Sequence, residues 1–276
     1  MRSLSLGISP CPNDTSIFFG LISGRIALPG FALDLRIEDV ETLNRLAAAS
    51  ALDVTKVSIH AYAHLREDYV LLRCGAALGR SCGPLVVARG PVSPEGLKAS
   101  RIAVPGHLTT ASLLLQLYGI DPSRMEQMPF HAIAAAVASG RVDAGVLIHE
   151  SRFTCESLGL IKVLDLGNWW EKLTGLPLPL GGIVAQRNLG HNFFRLFETA
   201  IRHSIDLLHQ APDAVREFTR MHAQETDDAV LAGHIELYVN EFTRQLGREG
   251  ESAIIELFAR AEAEGLVPAC PYGLFD

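Results

Sequence analysis

Two hydrophobic periods alternate along the first half of the chain. Leu4, Leu6 and Ile8 are separated by small or polar residues, the period of a half-buried strand. A proline-rich loop, Ser9-Pro-Cys-Pro-Asn-Asp14, follows, and Asp14 can cap a helix running to about Ser23, ahead of Gly24. Phe31, Leu33, Leu35 and Ile37 return to the strand period, and Asp39 then opens a helix through Leu43, Leu46 and Ala47. Strand-like segments recur near 54–58, 69–73, 84–89, 101–104, 124–129, 143–148 and 160–164, with helical stretches between most of them. A chain that switches between the two periods in this way is expected to fold as an α/β protein.

The last third keeps only the helical period. Phe193, Phe197, Ile201, Ile205 and Leu208 share one face, and Val215, Phe218 and Met221 continue it after Pro212. Ile254, Leu257, Phe258 and Ala261 form a final apolar stripe. These helices are expected to pack on a sheet built earlier in the chain. Residues 50–60 and 139–149 echo one another: the end of an Ala-rich helix, a turn, an Asp, and a short apolar strand ending in Ile-His. The Asp is shifted by one position, so this is a shared supersecondary pattern rather than a strict repeat. Two similar α/β lobes would produce it, with ligands bound at the carboxyl ends of strands, where His60 and His149 fall. Residues 84–89 and 177–185 read as crossings between lobes. They divide the chain into a larger lobe, 1–88 and 182–276, and a smaller one, 89–181, around a central cleft that can close by a hinge.

Composition narrows the class. The 276 residues are 48% hydrophobic and 20% charged without a low-complexity tract, which excludes intrinsic disorder. The net charge is −7 and no basic stripe is present, so no nucleic-acid partner is expected. No apolar run approaches the roughly 18 residues of a membrane-spanning helix, and no membrane insertion is expected. The polar loop from Ser9 leaves no room for the apolar stretch of a secretory signal. Five cysteines, an odd number with no Cys-x-x-Cys pair, suit a reducing compartment, so a cytoplasmic location is the expectation.

Four lysines stand among 24 basic residues, so each invites an explanation. Lys56 and Ser58 flank Val57 at a strand end and point to the same side. Lys56 reads either as a contact for an anionic ligand or as a lysine reaching solvent. The Ser9–Asp14 loop reads either as a wall of a site at a helix N-terminus or as a rigid capped turn. Residues 105–111 have the same placement later in the chain. There Gly106 permits a tight turn, and Thr109 or Thr110 can cap a helix whose N–H groups suit a carboxylate; simple capping is the alternative. His149 ends a strand near the start of a helix, where imidazolium is disfavoured and a neutral ring can accept a proton. A hydrogen-bonded structural histidine is the other reading. His60 and His64 have metal-ligand spacing without companions and read as an ordinary packed helix. The glycine-rich stretch 75–83 fits no phosphate loop and reads as a connector, and Trp169 and Trp170 read as core.

Six motifs occur in order: Ser9-Pro-Cys-Pro-Asn-Asp-Thr15, Glu38-Asp-Val-Glu-Thr-Leu-Asn44, Thr55-Lys-Val-Ser58, Gly83-Pro-Leu-Val-Val-Ala88, Thr109-Thr-Ala111 and Ile148-His-Glu-Ser-Arg-Phe153. Together they resemble the 1,4-dihydroxy-6-naphthoate synthase family of the futalosine route to menaquinone, from residue 2 to about 276. Ser16 stands where the family usually has Phe, a departure in packing rather than chemistry. The resemblance implies a two-lobed fold like the type II periplasmic binding proteins. It implies a carbon–carbon lyase that converts cyclic dehypoxanthinylfutalosine, a small-molecule carboxylate, to 1,4-dihydroxy-6-naphthoate and dihydroxyacetone. No cofactor and no metal are implied. By the same resemblance His149 is the proton acceptor, Lys56, Ser58, Thr110 and Ala111 line the substrate site, and Asn13, Asn44 and Ser9 are nearby. Two alternatives share the fold. Chorismate dehydratase of the same pathway is not expected to carry the Ser-Pro-Cys-Pro-Asn-Asp loop. A solute-binding protein needs no general base and should carry a secretory signal. The sequence leaves the oligomeric state open.

Overall fold

The computed structural model describes residues 1–148, 158–223 and 227–275. The chain begins with β1 (Arg2–Ile8), α1 (Pro12–Ile22), β2 (Phe31–Ile37), α2 (Val40–Ala48), β3 (Val54–Ser58), α3 (Ile59–Ala63), β4 (Tyr69–Leu71) and β5 (Ala77–Gly79). Its middle holds β6 (Leu85–Ala88), α4 (Pro94–Ala99), β7 (Ile102–Val104), α5 (Thr110–Leu117), β8 (Met125–Gln127), α6 (Phe130–Ala138), β9 (Ala144–Leu147), β10 (Ile161–Asp165) and α7 (Leu166–Thr174). β11 (Leu178–Gln186) leads into α8 (His191–Gln210), α9 (Pro212–His222), α10 (Asp228–Tyr238), α11 (Glu241–Arg244) and α12 (Gly247–Ala263).

The strands form two sheets, one per lobe. The first has the order β2-β1-β3-β11-β4, with β5 also paired to β11. β1 runs parallel to β2 and β3, while β11 is antiparallel to its neighbours. The second has the order β10-β6-β9-β7-β8, parallel from β9 through β7 to β8 and antiparallel at β6 and β10. Parallel neighbours need a crossover between them, and α1 and α2 supply it in the first lobe. The expected alternation is visible with a difference that position explains. Leu4, Leu6 and Ile8 on interior β1 are fully buried, whereas Phe31, Leu33, Leu35 and Ile37 on edge strand β2 are half-buried.

Pairing moves the expected lobe boundaries. A division at 88 would leave β6 in the first lobe. Leu85 pairs with Leu147 and Ala88 with Ala144, and β10 covers the other edge, so β6 is an interior strand of the second sheet. Its residues are all buried and need neighbours on both sides. The outgoing crossing therefore precedes Leu85. The return crossing precedes β11, whose pairing with the first sheet starts at Leu178 rather than at 182. The glycine-rich connector 75–83 also contains β5.

Both crossings pack against α7. The Leu166 N–H donates to the Pro84 carbonyl at 3.0 Å, and Gly83 meets Gly167 backbone to backbone. Trp170 is fully buried and donates its indole N–H to the Pro177 carbonyl at 3.1 Å. Trp169 is half-buried, edge-on to Tyr118. The C-terminal helices cover the first sheet as expected. Phe193, Phe197 and Ile201 of α8 share a core with Leu4, Leu6 and Phe18. Ile254, Leu257, Phe258 and Ala261 of α12 join a second core that runs from Val57 of the first lobe to Val86 of the second. Met221 departs from the expected stripe: it is exposed, and Thr219 takes the buried place on α9. Among the described residues no helix is long and apolar enough to cross a membrane.

The Gly83–Gly167 contact gives a direct test of the crossing. A Cβ at Gly83 would lie 2.2 Å from the Gly167 Cα, with backbone on both sides and nothing able to rotate away. Gly83→Ala is expected to cost about 1–3 kcal/mol, the usual range for overpacking. Gly90→Ala, where a Cβ meets nothing within 4 Å, is the control. Thermal melts of both variants check this, with a lowered Tm expected for Gly83→Ala only.

Candidate active site

The carboxyl ends of four strands point at one cleft. β1 leads into the Ser9–Asp14 loop, β3 ends at Ser58, β7 leads through Pro105 to α5, and β9 leads into Ile148. Open α/β sheets bind ligands at such ends because loops and helix N-termini converge there. The cleft encloses about 680 Å³, mouth included. Ser9, Asn13, Asp14, Lys56 and Ser58 line it from the first lobe, and Thr109, Thr110, Ala111 and Ile148 from the second. Val40, Val57, Leu180 and Pro84 make apolar stretches of wall, and His234 and Tyr238 reach in from α10.

The first-lobe wall is organised by one buried ion pair. Lys56 and Asp14 are both buried, and the Lys56 Nζ donates to Asp14 Oδ1. Both earlier readings of Lys56 are thereby refined. It faces the cleft rather than solvent, but its charge is already matched. The Asp14 carboxylate accepts three more hydrogen bonds: Ser9 Oγ at 2.7 Å, the Ser9 N–H at 3.3 Å and Asn13 Nδ2 at 2.8 Å. A buried carboxylate needs such donors once water is gone. Asp14 is therefore not the helix cap. Cys11, in extended backbone, is the N-cap residue, Pro12 opens the first turn, and Asp14 turns its charge toward Lys56. The Asn13 amide nitrogen is committed to Asp14, so its Oδ1 accepts from His234 Nε2 at 3.0 Å.

Ser58 and Asn44 form the next layer. The Ser58 N–H donates to Asn44 Oδ1 at 2.9 Å, and Asn44 Nδ2 donates to Ser58 Oγ and to Glu41 Oε2, each at 3.2 Å. Asn44 is fully buried behind the wall, so it fixes Ser58 rather than meeting a ligand. Glu41, also buried, spans the cleft: the Leu108 N–H approaches its Oε1 at 3.5 Å, and its carboxylate packs on Gly106. Gly106 is needed for that approach, since a Cβ there would lie 2.3 Å from Glu41 Oε2.

The second-lobe wall is the N-terminus of α5. Thr109 is the N-cap, its hydroxyl accepting from the Ser112 N–H at 3.3 Å. Thr110 and Ala111 occupy the first turn, whose N–H groups have no intrahelical acceptor. Thr110 Oγ1 donates to the Leu180 carbonyl at 2.7 Å and accepts from the His60 N–H at 3.3 Å. His60 Nδ1 meets the Thr109 carbonyl at 3.1 Å. These bonds and Glu41 hold the lobes closed. Burial lowers the His60 pKa from 6.5 to about 4, outweighing the upward pull of the Thr109 carbonyl, and the nearby His64 lowers it further. His60 is thus a neutral ring packed across the lobe interface. His149 lies outside the described residues, as do Glu150 to Phe153.

Of the residues that the family resemblance named, Ser9, Asn13, Lys56, Ser58, Thr110 and Ala111 lie on the cleft wall. Sequence reasoning missed the Asp14–Lys56 pair, Glu41, His234 and Tyr238. The four-residue spacing of His234 and Tyr238 places them on one helix face, with ring centroids 4.6 Å apart, but nothing local aims that face at residue 13.

Residues 4–263 match the family model described as menaquinone biosynthesis. The chain belongs to the menaquinone biosynthesis family. It is an enzyme of that pathway. It is 50% identical over 277 residues to a Thermus thermophilus protein named 1,4-dihydroxy-6-naphthoate synthase, covering 100% of both chains. A Streptomyces coelicolor protein of the same name is 46% identical over 273 residues, covering 97% of this chain and 95% of its own. A crystal structure of an Archaeoglobus fulgidus protein superposes with TM-score 0.89 at 37% identity, over 96% of this chain and 98% of that one. The alkanesulfonate-binding protein of Xanthomonas axonopodis pv. citri superposes with TM-score 0.71 at 13% identity, over 98% and 95%. That last likeness shows the shared two-lobed binding-protein fold.

His60 makes the closed family fold sensitive to acid. Its folded pKa lies below its ordinary value, so between pH 6.5 and about 4 the unfolded chain binds the extra proton. The stability His60 contributes is present above pH 6.5 and is lost as pH falls through that window, up to about 3 kcal/mol. Tm measured from pH 7 to 4 should fall more steeply for the unmodified protein than for His60→Asn. Parallel curves would contradict this.

Proposed function

We propose that this enzyme is a carbon–carbon lyase that splits cyclic dehypoxanthinylfutalosine into 1,4-dihydroxy-6-naphthoate and dihydroxyacetone, with His149 as general base. The observation that carries the reading is the pairing of a first-turn N–H cluster on α5 with apolar walls in one closed cleft. It joins full-length similarity to two proteins named for that product. The substrate's carboxylate suits the N–H groups of Thr110 and Ala111, which carry partial positive charge. Its ring system suits Val57, Leu180 and Ile148. A ketone acidifies the adjacent carbon, and the neutral imidazole of His149 removes that proton. Cleavage of the carbon–carbon bond releases the sugar-derived fragment, aromatisation of the naphthoate ring drives the reaction, and no further reactant enters. Closed lobes exclude water from the reacting atoms. A cytoplasmic site of action fits the cysteine usage.

Incubation with cyclic dehypoxanthinylfutalosine, followed by mass spectrometry, should yield 1,4-dihydroxy-6-naphthoate. Dehydration of chorismate instead would replace this reading with that of the sister enzyme. His149→Asn keeps a similar volume but cannot accept a proton, so turnover should fall about 10²–10⁴-fold, the usual contribution of a general base. Affinity for 1,4-dihydroxy-6-naphthoate and Tm should change little. Near-normal turnover would remove His149 from the mechanism.

A further inference from the structure

The proposed substrate brings one carboxylate and several uncharged oxygens, yet the cleft contains a lysine and the N-terminus of α5, two features that could each receive an anion. They stand on opposite lobes. The structure separates their roles. Lys56 is matched by Asp14, and Asp14 is held in place by Ser9 and by Asn13, itself fixed by His234. This pairing leaves the first-lobe wall without a net positive charge, so a second carboxylate brought there finds no unmatched cation among the described residues. The Lys56 ammonium carries three N–H groups, and Asp14 is its ion-pair partner, so donors remain for an uncharged oxygen.

We propose that Asp14, oriented through Asn13 and His234, is a specificity-determining residue of this cleft. It cancels the charge of Lys56, so that monocarboxylates with a hydroxyl or ketone at the far end are accepted and dicarboxylates are rejected. Among the described residues, carboxylate recognition then falls to α5. A carboxylate placed at the Lys56 end must lose its water and meet Asp14, whereas a hydroxyl accepts from Lys56 with no charge conflict. This inference rests on the lyase reading for the orientation of the substrate.

The test uses two probes of one skeleton, 6-hydroxy-2-naphthoate and naphthalene-2,6-dicarboxylate, titrated by calorimetry. The unmodified enzyme should bind the hydroxy acid more tightly by about tenfold or more, a size typical of like-charge juxtaposition. Asp14→Asn keeps the shape and exposes the Lys56 charge, so the preference should shift by about tenfold or more toward the dicarboxylate. The double variant Asp14→Asn, Lys56→Met removes both charges and should reject the dicarboxylate again; this holds the proposal to account where the single variant fails to fold. His234→Leu should weaken the preference without abolishing it. Equal binding of the two probes by the unmodified enzyme overturns the proposal, as does an unchanged ratio in Asp14→Asn. These titrations involve no turnover. An enzyme that keeps the preference but leaves cyclic dehypoxanthinylfutalosine intact sinks the lyase reading and leaves the selectivity standing.

Discussion

Lys56 carries an ammonium group on a side chain only 5% exposed, inside a strand whose other residues are all buried. Water does not compensate that charge, so the protein must. Leaving one partner of a buried pair alone typically costs roughly 3–5 kcal/mol. Much of the local structure follows from meeting this demand. α1 starts at Pro12, which brings Asp14 into its first turn opposite β3. Ser9 turns its hydroxyl and its N–H to the same carboxylate, which fixes how β1 leaves the sheet. Asn13 completes the donor set and ties the loop to α10, more than two hundred residues away in sequence, through His234. Of the two readings that the sequence left for the Ser9–Asp14 loop, a site wall or a rigid capped turn, the wall is the one seen, and it is charge-balanced.

Small, specific polar approaches join the lobes at the cleft, beside the apolar core that runs between them. Gly106 admits the Glu41 carboxylate, Thr110 bonds the Leu180 carbonyl, and the neutral His60 ring meets the Thr109 carbonyl. Each joins a residue of the first lobe to the α5 turn of the second. The turn that offers N–H groups to a ligand is therefore the turn that locks the lobes, so binding and closure draw on the same few residues. The crossings behind the cleft are held by the Gly83–Gly167 contact and by the indole of Trp170.

Much of this was legible in the sequence. Strand and helix periods identified the α/β class, and the echo of 50–60 in 139–149 marked equivalent strands, β3 and β9, whose ends both reach the cleft. The loops at 9–14 and 105–111 were legible because such loops carry their own signals: prolines, glycine, capping residues; Ser9 and Ala111 themselves were named by the family resemblance. Long-range partners carried no such signal. Nothing local links His234 to Asn13, or Glu41 to Gly106, since these bonds arise only when the sheet orders and lobe closure are set. Lobe limits were misplaced for a related reason. A short apolar strand such as β6 has no feature of its own that tells which sheet will pair with it. Lys56 was visible as unusual, and the physical rule that a buried cation needs a buried acid points to Asp14 only once its burial is known.

The division of labour between the two lobes is tested most directly by a crystal structure of the enzyme with 1,4-dihydroxy-6-naphthoate bound. The carboxylate is expected on the N–H groups of Thr110 and Ala111, with the Asp14–Lys56 pair intact and a ring hydroxyl directed toward Lys56. A carboxylate seated on Lys56, with Asp14 turned away, would contradict it.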